Sequence, residues 1–189
     1  MHLIALAHPR SGTRYTAHCF RQAGWHVLQE ELGEDGIASW MWAVESDEVP
    51  NGTPRTCPLD AEVILHVMRD PAAAVSSIAF TEESSEAWRS RWVHIPMDAG
   101  PIERAVWSYY GWNRLIDAQH PTHRTQLEEI ESAVEEITGT APYDPSVVWF
   151  NSRPHQRLPA DRIKATTWKH EETAIIWDAV TAMYAEMGS

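Results

Sequence analysis

The sequence predicts a three-layer α/β fold, in which helices cover both faces of a central parallel β-sheet. Short apolar runs of strand length alternate with helical patterns along the chain. Two of these runs, Leu3–Ala7 and Glu62–Met68, are almost continuously apolar, as expected of parallel strands that are buried on both faces. The 189 residues contain no internal repeat and no low-complexity tract, and they suit a single domain, 1–189.

The N-terminal third of the chain follows a strand–helix–strand order. The apolar run Leu3–Ala7 breaks into a loop, and the helical pattern Thr13–Ala23 begins at once after it. A second strand is predicted over Trp25–Gln29. The polar stretch Gly33–Pro58 is interrupted by Gly and Pro, so little regular structure is expected there.

Helical patterns dominate after the third strand, Glu62–Met68. The predicted helices are Pro71–Ala79, Glu82–Trp92, Pro101–Gln119, Leu127–Thr138 and Glu171–Met187, with a short strand near His123–Gln126. Trp107 and Trp112 share one amphipathic helix, while Trp177 and Tyr184 are seven residues apart on the last helix. That spacing is typical of a packing stripe, so most of these aromatic residues are assigned to the core.

The loop after the first strand has the composition of an anion site. A strand that turns sharply into a helix leaves free backbone N–H groups at the positive end of the helix dipole. Gly12 lets the backbone approach an anion, Ser11 and Thr13 add hydroxyl groups, and Arg10 and Arg14 add charge. The loop lacks the second glycine and the lysine of a Walker A motif. A surface turn with Ser11 or Thr13 as a helix cap is the alternative.

A second anion site is predicted at the end of the third strand. Asp70 is a good N-cap and Pro71 suits the first helical position, so a helix begins there. Ser77 lies two turns into that helix and returns to the face of Asp70. Arg69 at the strand tip and Ser77 could therefore hold one anion between them. Alternatively, Arg69 pairs with a carboxylate and Ser77 packs against the sheet.

Taken together, the two segments resemble motifs of the sulfotransferase family. Those enzymes carry a P-[KR]-S-G-[ST] loop after strand 1, matched here by Pro9–Thr13, and an R-[DN]-P/A…S segment, matched by Arg69 to Ser77 at the same spacing. The segments 124–130 and 168–171 are similar to later parts of such chains by pattern. Arg10 stands where the cytosolic small-molecule enzymes usually carry lysine, which favours the bacterial, glycan and protein-tyrosine branches.

The resemblance implies a P-loop NTPase-like sulfotransferase fold and sulfuryl transfer from 3′-phosphoadenosine 5′-phosphosulfate to a hydroxyl group of a carbohydrate or small metabolite. It implies in-line displacement, release of 3′,5′-adenosine bisphosphate and no metal. The expected donor-binding residues are Arg10, Ser11, Gly12, Thr13, Arg14, Arg69, Ser77 and Arg153. Arg10 would contact the leaving group, Arg69 and Ser77 would hold the 3′-phosphate, and Arg153 lies where family members close over that phosphate.

A general base is expected just after the second strand. Strands 1 and 2 are expected to end side by side, so that Glu30 or Glu31 reaches the same cleft as Arg10. Family members place a Glu about 20 residues beyond the loop Arg. Glu31 is favoured slightly over Glu30, and both can equally be solvated loop acids. Trp40 and Trp42 follow this segment and suit either a sugar ring or phenol, or a hydrophobic plug under a long loop.

Two other functions stay open. One is a P-loop-like phosphotransferase that uses ATP and magnesium, although the Walker A lysine is missing. The other is a non-catalytic nucleotide-binding protein that keeps the pocket without the chemistry.

Composition limits the partners and the location. The formal net charge of −12 argues against nucleic-acid binding, and no apolar run is long enough to span a membrane. Cys19 and Cys57 have no zinc-site spacing and form no disulfide framework, so a cytoplasmic protein is expected. The expected partner is the acceptor molecule, and the short chain leaves open a homodimer in which a second subunit completes the acceptor site.

Overall fold

The computed structural model describes residues 2–44, 61–81, 83–143 and 158–188. Within these residues, five parallel strands form one sheet. The strands are β1 (Leu3–Ala7), β2 (Val27–Gln29), β3 (Gly36–Ser39), β4 (Val63–Met68) and β5 (His123–Gln126), in the spatial order β2-β3-β1-β4-β5. The register pairs Leu3 of β1 with Gly36 of β3 on one side and with Val63 of β4 on the other.

Helices cover both faces of this sheet, which confirms the three-layer α/β fold. In the same described segments the helices are α1 (Thr13–Gln22), α2 (Pro71–Thr81), α3 (Glu83–Arg89), α4 (Pro101–Asp117), α5 (Ile130–Thr138), α6 (Ala160–Lys164) and α7 (Glu172–Met187). Short 3-10 turns follow β3 at Met41–Ala43 and β5 at Leu127–Glu129. Each of the described helices is too short or too polar to cross a lipid bilayer.

The side chains of β1 point alternately to the two faces of the sheet and contribute to a different core layer on each face. Leu3, Ala5 and Ala7 belong to a cluster with residues of α1 and α5. Ile4 and Leu6 point to the opposite face and belong to a cluster with residues of α3 and α4. Because successive side chains of a strand point to opposite faces, one apolar run supplies both layers of the core.

A strand in the segment 33–58 corrects the sequence prediction. Gly36–Ser39 forms β3, where little regular structure was expected, and it lies between β1 and β2. The expectation that strands 1 and 2 are neighbours is therefore wrong. The helix predicted from Glu82 to Trp92 ends at Arg89, and the one predicted from Leu127 starts with a 3-10 turn.

The start of α2 is as predicted. The Asp70 carboxylate accepts a hydrogen bond from the backbone N–H of Ala73 at 2.8 Å, and Pro71 is the first residue of the helix. This N-cap directs the helix away from the carboxyl end of β4, and thereby fixes the direction in which the chain leaves the sheet beside Arg69.

Candidate functional site

The candidate site lies where β1 and β4 end side by side. These neighbours pair in parallel up to Ala7 and Val67. The chain leaving β1 returns as β2 on one side of the sheet, whereas the chain leaving β4 returns as β5 on the other. Connections that depart in opposite directions open a crevice at the carboxyl ends of the strands, which is where open α/β sheets bind their ligands.

The anion loop, defined here as His8–Thr13, joins β1 to α1 in this crevice. Arg10 and Gly12 both have positive φ values, 71° and 89°, and the N–H of Ser11 donates to the His8 carbonyl at 3.0 Å. Gly12 is the N-cap of α1, and a Cβ on it would lie 2.5 Å from the Leu127 side chain. Left-handed residues beside a helix N-terminus form a concave backbone that suits anions.

Hydrogen bonds link Arg10 with both Ser77 and Arg69. The Arg10 Nε donates to the Ser77 hydroxyl at 3.2 Å, and an Arg69 guanidinium N–H donates to the Arg10 carbonyl at 3.0 Å. Tyr109 of α4 holds the backbone of Arg69. Its hydroxyl donates to the Arg69 carbonyl at 2.6 Å and accepts from the Arg69 N–H at 3.1 Å. Two guanidinium groups therefore converge on one end of the sheet.

The other predicted donor-binding residues differ in exposure. Ser11 is fully buried and Thr13 is 8 % exposed, whereas Arg14 is exposed on the first turn of α1. The Thr13 hydroxyl accepts a hydrogen bond of 3.4 Å from the Gln29 amide at the end of β2. Arg153 lies outside the described residues.

Glu30, which follows β2, has a half-buried carboxylate. Its two oxygens accept hydrogen bonds from the Ser39 hydroxyl at 2.5 Å and from the Trp40 N–H at 3.3 Å. Burial raises the pKa of Glu30 to about 7, although both hydrogen bonds act in the opposite direction. Its φ of 57° is left-handed, a conformation that costs energy in non-glycine residues and that clusters at functional sites.

Glu31 has a different environment, because its side chain is exposed. Glu30 is joined to the anion loop through its neighbour Gln29, which contacts Thr13, and to the end of β3 through Ser39, which pairs with Leu6 of β1. The geometry therefore favours Glu30 over Glu31 as a proton acceptor.

The tryptophans after Glu30 belong mainly to the core. Trp40 packs edge-on against Trp88 at 5.3 Å between ring centroids and lies 5.9 Å from Trp112. Trp112 is fully buried and donates from its indole to the Trp40 carbonyl at 3.2 Å, while Trp42 is 9 % exposed. These contacts fit the hydrophobic plug and fix the backbone that hydrogen bonds to Glu30.

Sequence reasoning missed a set of buried polar residues behind the anion loop. His8, Ser108 and Arg89 are all fully buried and hydrogen bonded in series. His8 flanks the loop in the sequence, and neither Ser108 nor Arg89 stands in a motif. A buried arginine is rare unless it is paired, but its burial cannot be read from a helical pattern.

Lys169 is in contact with two acidic residues. Its ammonium group lies 2.5 Å from the Asp98 carboxylate, and its backbone N–H donates to the buried Glu103 carboxylate at 2.9 Å. Among the described residues, no three His, Cys, Asp or Glu side chains are grouped to hold a metal ion.

Comparison with known proteins returns no relative. No family model matches the chain, and no curated protein or solved structure is significantly similar to it. The resemblance to sulfotransferases therefore stays a prediction from the two sequence motifs.

Proposed function

We propose that this protein is a sulfotransferase that moves a sulfuryl group from 3′-phosphoadenosine 5′-phosphosulfate to a hydroxyl acceptor. One observation carries the proposal. The two motif segments follow neighbouring strands at the point where the connections diverge, and Arg10 is hydrogen bonded to Ser77 while Arg69 is hydrogen bonded to Arg10. A donor with one anionic group at each end needs two such segments within reach of each other.

The residues fit the charges of this donor. The left-handed backbone of the anion loop and the N-terminus of α1 suit the 5′-phosphosulfate, with Arg10 at the departing phosphate. Arg69 and Ser77 suit the 3′-phosphate, because a guanidinium and a hydroxyl are both good partners for phosphate oxygens.

The transfer itself requires a proton acceptor and a stabilised leaving group. The acceptor hydroxyl oxygen forms a bond to sulfur while the bond from sulfur to the bridging phosphate oxygen breaks. Glu30 takes the hydroxyl proton, and 3′,5′-adenosine bisphosphate leaves with the electron pair. A carboxylate with a pKa near 7 is well matched to this task at neutral pH.

The phosphotransferase alternative has less support in the sequence. A kinase of this type carries a Walker A lysine, which the anion loop lacks. Asp70, the acid that follows β4, uses one carboxylate oxygen to cap α2 through the Ala73 N–H. The proposed experiment nevertheless includes ATP with magnesium as a competitor.

Calorimetry with 3′,5′-adenosine bisphosphate tests the donor site. Wild type should prefer this ligand to ATP with magnesium, and Arg69→Ala should bind it about 10- to 150-fold more weakly, the effect of losing about 1.5–3 kcal/mol of hydrogen bonding to charge. Arg114→Ala removes the same charge from an exposed position in the last turn of α4 and should leave the affinity unchanged within about twofold.

The outcomes separate the candidate functions. A preference for ATP with magnesium contradicts the sulfotransferase proposal and supports the kinase. Equal losses in Arg69→Ala and Arg114→Ala would show that only overall charge matters. Tight bisphosphate binding without sulfation of any carbohydrate or small-metabolite acceptor would favour the non-catalytic nucleotide-binding protein.

A further inference from the structure

A chain of buried hydrogen bonds ends on the anion loop. The Arg89 Nε lies 2.9 Å from the Ser108 hydroxyl, which lies 3.0 Å from the His8 Nε2, and the His8 Nδ1 lies 2.6 Å from the Pro9 carbonyl oxygen. These residues come from α3, α4 and the end of β1. These hydrogen bonds therefore connect α3 and α4, on one face of the sheet, to the peptide bond between Pro9 and Arg10.

The chemistry of the partners fixes the direction of each hydrogen bond. A carbonyl only accepts, so the proton on the His8 ring must be on Nδ1, and the Nε2 lone pair must accept from the Ser108 O–H. The Ser108 oxygen is then left to accept from the Arg89 N–H. Burial, with the nearby Arg89 charge, keeps the pKa of His8 well below its ordinary value, in agreement with a neutral ring.

This arrangement sets the orientation of the Pro9–Arg10 peptide. The peptide is trans, so its N–H points opposite to its carbonyl. Because the Pro9 carbonyl is turned toward the His8 ring, the Arg10 N–H points away from that ring. The left-handed backbone of Arg10 is unfavourable for a residue with a side chain and needs such external support.

We propose that His8, as the neutral Nδ1–H tautomer, is a positioning residue of the anion loop. By holding the Pro9 carbonyl, it keeps the Arg10 backbone in the left-handed conformation from which the guanidinium reaches Ser77. Ser108 and Arg89 select the tautomer. Only the identity of the anion rests on the function proposed above, since the loop geometry would serve any phosphate or sulfate group.

The tautomer is tested on the wild-type protein without a ligand. In nitrogen-15 NMR spectra of protein labelled at histidine, the His8 ring, assigned by its loss in His8→Asn, should show a protonated Nδ1 and an unprotonated Nε2. It should stay neutral as the pH falls through about 6.5, where an ordinary histidine gains its proton. A ring protonated on Nε2, or one that titrates near pH 6.5, overturns the proposal.

The positioning role is tested by two variants of similar size. In His8→Asn the side-chain amide can still donate to the Pro9 carbonyl, whereas His8→Leu fills the space without a donor. Inorganic pyrophosphate and 3′,5′-adenosine bisphosphate serve as probes in calorimetry, under conditions where circular dichroism shows each variant to be folded. We expect His8→Asn to bind within about threefold of wild type and His8→Leu to bind at least about tenfold more weakly.

A merely structural His8 predicts a different pattern. Both variants would lose stability while their folded forms bound the probes as wild type does, and that result overturns the proposal. Wild type that binds pyrophosphate but not the bisphosphate contradicts the proposed donor only, and the two variants still decide the role of His8. Wild type that binds neither probe overturns both proposals.

Discussion

Replacing Gly36 by alanine is expected to destabilise the protein by about 3 kcal/mol or more, because the new Cβ has no room between β3 and β1. It would lie 2.1 Å from the carbonyl oxygen of Leu3, the residue that pairs with Gly36 in the sheet. The obstacle is backbone in the central strand, which cannot turn aside as a flexible side chain can. Urea unfolding measures the loss.

Two other glycines provide matched controls. Gly100→Ala meets nothing within 4 Å at an ordinary backbone conformation, but Gly100 is the N-cap of α4, where alanine is less favourable, so the change should cost no more than about 1 kcal/mol. Gly24→Ala also has open space, but its φ is 87°, so it should cost about 1 kcal/mol from conformation alone. If Gly36→Ala were no more destabilising than Gly24→Ala, that result would contradict the close approach of β3 to β1 at Gly36.

The position of Gly36 also explains why β3 could not be predicted from the sequence. The strand is four residues long, and it follows a turn in which the Gly33 N–H donates to the Gly36 carbonyl at 2.9 Å. Gly-Ile-Ala-Ser has little β propensity, and glycine favours turns, so local preference predicts a loop. Pairing with β1 on one side and β2 on the other overrides that preference. By contrast, β1 and β4 were predictable because both faces of each strand are buried in apolar layers.

Some residues of the candidate site could be predicted from local sequence, whereas others depend on how distant segments pack. The positions of Arg10, Arg69 and Ser77 at one end of the sheet could be predicted, because each stands at a fixed distance from a strand end and a helix start. The choice between Glu30 and Glu31 depends on which strand lies beside β1 and on the Ser39 hydroxyl, neither of which the sequence specifies. The contact between His8 and Ser108 spans 100 residues and depends on how α4 packs on the sheet, so no local pattern reveals it.

Glu30→Gln is expected to become more stable relative to wild type as the pH rises from 5 to 8, by up to about 3 kcal/mol. Burial raises the pKa of Glu30 from its ordinary 4.5 to about 7, so the folded protein binds this proton more tightly than the unfolded chain. The stability that Glu30 contributes is therefore complete below pH 4.5 and is lost as the pH rises to about 7. Glutamine occupies the same space and carries no charge to be desolvated.

The pH dependence must be measured as the difference in stability between Glu30→Gln and wild type. A second buried group changes the stability of both proteins with pH in the opposite direction. Burial lowers the pKa of His66 to about 4, so wild type loses stability from that histidine as the pH falls from 6.5 toward 4. The two effects partly cancel in the stability curve of wild type, but His66 contributes equally to both proteins and drops out of the difference. Urea unfolding at pH 5, 6, 7 and 8 supplies the two curves.

Glu31→Gln is the matched control, since it changes the same charge on the adjacent, exposed residue. Its stability relative to wild type should be constant across the pH range to within about 0.5 kcal/mol. Parallel curves for Glu30→Gln and wild type would mean that Glu30 ionises as an ordinary surface acid, and its assignment as the proton acceptor would lose its physical basis. A diverging Glu30 curve instead identifies a carboxylate whose ionised form costs stability at neutral pH, which is expected of a group retained for chemistry rather than for folding.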